Sequence, residues 1–265
     1  MRMMRVKTVV LAVWLFAFAP WGATQEASVP DVAGIWSATV TSFEHPAWDI
    51  VDLFGCNCTS ESYDYLRSLL QDSSNDHLSA DEIQRMVGAF NREAINDLLT
   101  EEGSRYEAAY DHADDPSILC EPFGVFRTIL HNDPIHFDPI AERLMITTED
   151  LASNRTIHMN TREHPEGPPT SLGHSVGWYE GSTLLIETVG VSANVADDNL
   201  GIHNSDNASS IERYTLSDDG RKLLLQFTLI DPIRYREPLI LERMRIFTPE
   251  VTMEEAPCES ISGQF

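Results

Sequence analysis

The chain has 265 residues, 42% of them hydrophobic, enough to bury a sizeable core as one large β domain or one domain carrying an insertion. Its formal net charge is -24. A surface that acidic repels phosphate backbones and anionic lipids, which excludes nucleic acid as an expected partner.

The chain starts "MRMMRVKTVVLAVWLFAFAPWGATQEA". Arg2, Arg5 and Lys7 make a positive start, Thr8 to Phe18 an apolar run, and Gly22, Ala23 and Ala27 supply small residues. This pattern predicts a secretory signal peptide over residues 1–27, cut between Ala23 and Ala27. The apolar run is shorter than the roughly 20 residues that a membrane span needs. No later segment is long and apolar enough either, so no membrane insertion is expected after cleavage. Loss of the three cations would take the formal charge to about -27. The expected location is periplasmic or secreted, with residues 28–265 as a single domain. Four cysteines follow the leader: Cys56, Cys58, Cys120 and Cys258. An even count in an oxidising compartment predicts disulfides. Cys56 and Cys58 lie too close in sequence to pair comfortably, so each is expected to bond one of Cys120 and Cys258. A zinc site would want a second close pair of ligands, and none is visible.

After the leader, "DVAGIWSATVTSF" alternates as a strand from Gly34 to Phe43. Helix signals then take over, giving a helical insertion over residues 44–118. In "SESYDYLRSLLQ", Tyr63, Leu66 and Leu70 share a face. In "SADEIQRMVGAFNREAINDLL", Ser79 and Glu82 form a capping box, and Ile83, Met86, Val87, Phe90, Ala94 and Leu98 line one side. A third helix is expected over Glu101 to His112. From Phe123 onward the pattern is strand after strand: "GVFRTIL", "RLMITTE", "RTIHMN", "GHSVGWYE", "TLLIETVGV", "SSIERYTLS", "KLLLQFTLID" and "LILERMRIFT". Short turns fall at "EGS" and "SDDG", and longer loops at "EHPEGPP" and "ADDNLGIHNSDN". The expected fold is mainly β, an antiparallel barrel with a helical insertion after its first strand.

"GIW" at Gly34–Trp36 resembles the G-x-W signature of lipocalin-like barrels. "RTIHMN", "GHSVGWYEGSTLLIETVG", "IERYTL" and "LIDPIRYREPL" together resemble a family of uncharacterised secreted bacterial proteins. Its members share R-x-I, G-H-S-x-G-x-W-E-G-D-T-L-V-V-D-T, E-R and D-P in that order. This chain departs at Tyr179, Ser182 and Glu187, where the family usually has Trp, Asp and Asp. The resemblance spans roughly residues 118 to 240. It implies an exported, lipocalin-like (calycin-like) barrel and supplies no activity.

Small barrels often hold one ligand in the mouth, and side chains alternate in and out along each strand. In "GHSVGWYE", His174, Val176, Trp178 and Glu180 share one face. The expectation is that His174 and Trp178 face the interior, an imidazole beside a rigid aromatic surface. Glu187 lies in an apolar strand and needs a partner if buried, with Arg213 and Arg155 as candidates. His158 and Asp231 complete the expected polar lining. The resulting expectation is a barrel binding a small, largely apolar molecule with Trp178, Arg213, His158, Arg155, Glu180 and Asp231. The alternative is a cofactor-free acid–base enzyme (lyase, isomerase or hydratase) using His174 and Glu187. No metal or cofactor is expected, since neither metal-ligand spacing nor a Walker or dinucleotide fingerprint is present. "GHSVG" lacks the strand-to-helix turn of a nucleophile elbow, so Ser175 is not read as a hydrolase serine.

Overall fold

The computed structural model describes residues 31–38, 56–121, 123–149 and 153–254. The expected leader, the end of the first expected strand and Cys258 lie outside the described residues.

The strands, in chain order, begin with β1 (Gly34–Ala38), β2 (Ile135–Ile140), β3 (Arg143–Thr148) and β4 (Arg155–His158). Next come β5 (His174–Glu180), β6 (Thr183–Val189), β7 (Asn194–Asp197) and β8 (Ile202–Asn204). The last are β9 (Ser209–Leu216), β10 (Lys222–Ile230) and β11 (Leu239–Phe247). The helices are α1 (Ser60–Gln71), α2 (Ala80–Asp97), α3 (Glu101–Ala109) and α4 (Val125–Leu130). Among the described residues, nine strands close a barrel in the order β1, β11, β10, β9, β6, β5, β4, β3, β2; β7 and β8 form a separate hairpin. The fold is therefore mainly β, with helices following the first strand, as the sequence indicates. One pairing departs from the antiparallel expectation: β4 and β5 run parallel. The connection over 159–173 is long and proline-rich, and it crosses over instead of turning back.

Alternation decides which side chains fill the barrel. On β10 every second residue is buried, placing Leu223, Leu225, Phe227 and Leu229 inside. Trp36, Phe137, Ile157, Leu184, Ile186 and Tyr214 join them from other strands. Helix α4 packs with these residues, with Phe126 edge-on to Phe227 at 5.7 Å. "GVFRTIL" reads as a strand because it is short and apolar, but it is this helix, and all six of its residues are buried. A short run buried on every side has no periodicity to distinguish helix from strand. Its C-terminal carbonyls meet two buried guanidinium groups from β11: Arg243 bonds Leu130 O, and Arg245 donates to His131 O at 2.7 Å. Positive charge at a helix C-terminus is favourable, which anchors the plug.

The insertion is tied to the barrel at several points. Helices α1 and α2 share a small core of Cys58, Leu66, Leu69, Ile83 and Val87. Further along, Ile95 and Leu99 belong to the main core. The capping box forms as expected: Ser79 accepts from Glu82 N–H and the Glu82 carboxylate accepts from Ser79 N–H. Helix α3 docks through Thr100 N–H to Arg234 O at 2.9 Å. Glu107 reaches His203 Nδ1 at 2.9 Å, and the Arg234 guanidinium stacks 3.7 Å from the Tyr106 ring. The expected cysteine pairing is corrected. Cys56 and Cys58 bond to each other, their Cα atoms 5.2 Å apart, a normal disulfide span. A Cα separation of 5.2 Å across two residues is shorter than extended backbone allows, so the chain bends at Asn57 and brings the two sulfurs together. Cys120 is also disulfide-bonded, and no described cysteine is free.

Candidate functional site

The structure reverses the expected orientation of the "GHSVGWYE" strand. Ser175, Gly177 and Tyr179 stand opposite Thr188, Ile186 and Leu184 of β6, all on the interior face. His174, Val176, Trp178 and Glu180 therefore occupy the outer face. The two faces alternate as expected, but the other one points inward. Gly177 shows why: a Cβ there would lie 2.7 Å from both Ile157 Cγ2 and Met159 Sδ, so interior side chains already fill that place.

The outer residues form a polar patch under the 159–173 connection. His158 and His174 stack at 4.8 Å. His164 Nδ1 meets His174 Nδ1 at 2.9 Å, and His164 Nε2 lies 3.5 Å from the Glu187 carboxylate. Burial, helped by the nearby His158 and His164 charges, holds His174 below the usual imidazole range. The Arg162 guanidinium covers Trp178 at 3.6 Å, and Trp178 Nε1–H donates to exposed Glu180 at 3.0 Å. The expected Glu187–Arg213 pair is not formed, because Glu187 stands across from Ile211 and Arg213 across from Leu185. The acid–base pair expected of His174 and Glu187 inside the barrel is thereby corrected to an outer-surface cluster. Among the described residues, no three His, Cys, Asp or Glu side chains are arranged to hold a metal ion.

The true interior polar group is Arg155, which the sequence named, with Glu212, which it missed. Arg155 bonds both Glu212 oxygens, at 2.6 and 3.0 Å, and the two side chains are 4% and 0% exposed. Arg155 also donates to Thr188 Oγ1 at 2.6 Å and to Ser175 Oγ at 3.0 Å. Tyr214 O–H donates to Glu212 at 2.8 Å. Burial first, then the Glu212 charge, raises the Tyr214 phenol well above its ordinary value. "RTIHMN", "GHSVGWYEGSTLLIETVG" and "IERYTL" contribute Arg155, Ser175, Thr188 and Glu212, and these four converge on one internal cross-link. Little space remains beside it: the cavity bordered by Thr128, Ile146, Ser153, Arg155 and Tyr214 is about 10 Å³. That is room for about one water and no larger molecule, so the expected ligand chamber at this place is corrected to a packed core. Asp231 is buried as well, but it organises a turn. Its oxygens accept from Ser205 N–H and O–H and from Ile233 N–H.

A larger space opens outside the plugged end. A cleft of about 370 Å³ lies between the insertion, α4 and the β7–β8 hairpin. Gln84, Val87, Gly88 and Asn91 present one face of α2 to it. Leu130 at the end of α4 and Asn132 beyond it border the cleft, and Ala196 to Leu200 close the far side. Asn57, between the disulfide cysteines, holds these pieces together. Its Nδ2 donates to Leu130 O at 2.9 Å and to Asp197 Oδ2 at 2.7 Å; its Oδ1 accepts from Arg243 at 3.0 Å. Asn91 in turn donates to Asn57 O at 3.0 Å. Asn57 thus fixes helix, plug, hairpin and β11 relative to one another. Nothing in "CNCT" announces that role.

The charges in the cleft are unevenly matched. Arg127 is buried and donates to both oxygens of Asp115, at 2.9 and 2.7 Å, with its guanidinium 4.3 Å from the Phe123 ring. Burial pushes the Asp115 carboxyl up, but hydrogen bonds from Arg127 and Ser117 and the Arg127 charge outweigh it, leaving Asp115 below the usual carboxylate range. Asp197 is the reverse case. Burial raises it, and the hydrogen bonds from Asn57 and Leu200 N–H and the charge of Arg243 do not cancel that. Asp198 beside it reaches Arg127 only at 3.8 Å and remains about a third exposed. Comparison with protein-family models and with curated proteins finds no match.

Proposed function

We propose that this chain is an exported barrel protein that binds a small molecule in the cleft between its helical insertion and the plugged barrel end. The observation that carries this reading is the cleft itself, about 370 Å³, built from four separate chain segments that Asn57 holds together. That volume falls in the range of small-molecule sites, roughly 300–1,000 Å³. Its lining modifies the expectation of a largely apolar ligand. Val87, Leu130, Ala196 and Leu200 supply apolar walls, while Gln84, Asn132, Asn199 and Asp197 supply hydrogen-bonding groups. A molecule with both an apolar body and polar ends suits such a lining. Export is supported by the leader pattern of residues 1–27 and by the disulfides. The acid–base alternative moves to the same cleft, where the raised Asp197 carboxyl, in place of His174, is the group suited to proton transfer.

Gly88 provides the test. It borders the cleft, and a Cβ there would meet nothing within 4 Å. Gly88→Trp fills the space without disturbing α2. Ligand-dependent stabilisation, screened by thermal shift against metabolite-sized compounds, is expected in the native protein and absent in Gly88→Trp at unchanged circular dichroism. Equal stabilisation of both proteins would refute the assignment of the cleft.

A further inference from the structure

We propose that the cleft selects a cationic small molecule, an ammonium or guanidinium compound with an apolar body, and that Asp197 is the residue that sets this selectivity. The inference rests on the cleft being the ligand site and adds the class of ligand.

Arg127, from α4, is the cation of the lining, and its Nη1 is committed to both oxygens of Asp115. Arg243, from β11, approaches from behind and is held by Asn57, Asn132 and Leu130 O. His131 follows α4 and sits 3.1 Å from Asp133. Helix α2 presents only amide and apolar side chains here, Gln84, Val87 and Asn91. The hairpin presents two adjacent carboxylates, Asp197 and Asp198. Asp197 receives hydrogen bonds from neutral donors, the Asn57 amide and Leu200 N–H. Among the described residues the cationic influence on it, from Arg243, is smaller than the penalty of burial. A carboxylate partly withdrawn from water and satisfied by neutral donors gains most from an incoming cation. An incoming anion would meet Asp197 and Asp198 and find the nearest guanidinium already shared. The apolar walls, Val87, Leu130 and Leu200, suit the carbon body of such a ligand.

Three probes of one shape separate charge from fit: tyramine, tyrosol and 4-hydroxyphenylacetate, which are cationic, neutral and anionic near neutral pH. Binding to the full chain is measured by isothermal titration. Tyramine is expected to bind at least about tenfold tighter than tyrosol, with the anion weakest. In Asp197→Asn, tyramine and tyrosol should converge to within about threefold. The tyramine advantage should grow as pH rises from acidic values toward neutrality, because Asp197 must ionise to pair with it, whereas tyrosol should show no such growth. If tyrosol or the anion binds as well as tyramine, the charge assignment is overturned. If none of the three binds while another, uncharged compound binds in a Gly88→Trp-sensitive manner, the charge assignment falls and the cleft assignment stands. Cation binding that persists undiminished in Gly88→Trp overturns both.

Discussion

Replacing Glu212 with Gln removes one charge from the centre of the barrel and leaves its shape. Arg155 then keeps its bonds to Ser175 and Thr188, and Tyr214 can still donate to the new amide oxygen. What is lost is the countercharge of a guanidinium only 4% exposed and one of the two Arg155–Glu212 bonds, since an amide nitrogen cannot accept. Removing one partner of a buried pair costs about 3–5 kcal/mol. The surviving hydrogen bonds argue for the lower end, about 3 kcal/mol. For a domain of this size each kcal/mol moves Tm by about 2–4 °C, so the variant should melt roughly 6–12 °C below the native protein. Urea unfolding at neutral pH, with disulfides intact, measures the loss directly. The double variant Arg155→Met, Glu212→Leu should recover to within about 1 kcal/mol of the native protein, because the same volume is refilled without buried charge. The reasoning is refuted if Glu212→Gln lies within about 0.5 kcal/mol of the native protein, the ordinary scatter of surface substitutions. It is equally refuted if the double variant loses the sum of both single losses.

Asp197→Asn removes a partly buried carboxylate whose ionised form is disfavoured, but it leaves Asn57 Nδ2 or Leu200 N–H without its acceptor, so the ligand-free protein should stay within about 1 kcal/mol of the native stability at neutral pH. In the native protein this carboxyl, raised on folding, stabilises the fold progressively as pH falls through its folded value. Urea midpoints between acidic and neutral pH should lack that component in the Asn variant, and a pH slope equal to that of the native protein would contradict it. His174, lowered on folding, has the opposite sign. Its contribution is whole above the ordinary value of 6.5 and declines as pH drops from there through its folded value. His174→Asn should flatten the stability profile in that window, and an unchanged slope would count against the patch geometry. Two glycines offer a paired test by thermal melting. Gly103→Ala places a Cβ 2.3 Å from Arg234 O and should cost about 1–3 kcal/mol by prising α3 from the barrel. Gly88→Ala, with open space beside it, should instead add about 0.5–1 kcal/mol.

The elements legible in the sequence are those with a clear period. Alternation exposed β10 and β11, and the capping box at Ser79 and Glu82 located α2 within a residue. Elements without a period were hidden. The plug helix α4 is buried all round, and β2 contains Asp138 and Pro139, which read as a turn. The β7–β8 hairpin lies inside a run of Asp, Asn and Gly that reads as loop. The face of β5 was legible as a pair of alternating sets, but the inward set was not. Large aromatic and imidazole groups suggested a lined cavity, whereas the packed interior takes small Ser175 and Gly177 there. Arg155 was visible only as one candidate partner for Glu187. Its actual mate, Glu212, was not singled out, because "IERYTL" places it between Ile211 and Arg213 with no local sign of burial. The cleft depends on contacts between residues as distant as Asn57 and Arg243, which no local pattern encodes.

Strand β1 sits between β2 and β11, with Trp36 across from Ile135 on one side and Phe247 on the other. The first and last barrel strands in the sequence are therefore neighbours in space. A chain made from its N-terminus cannot complete the ring until Leu239–Phe247 has emerged. Until then β1 and β10 each retain an unpaired edge, the kind of template that recruits other chains. Contacts across more than two hundred residues also place closure late and make folding slow. The same arrangement works in reverse once the ring is shut. No terminal strand can peel away without breaking two ladders at once, so unfolding must open the ring, and lifetime in a protease-rich setting would be governed by that rate.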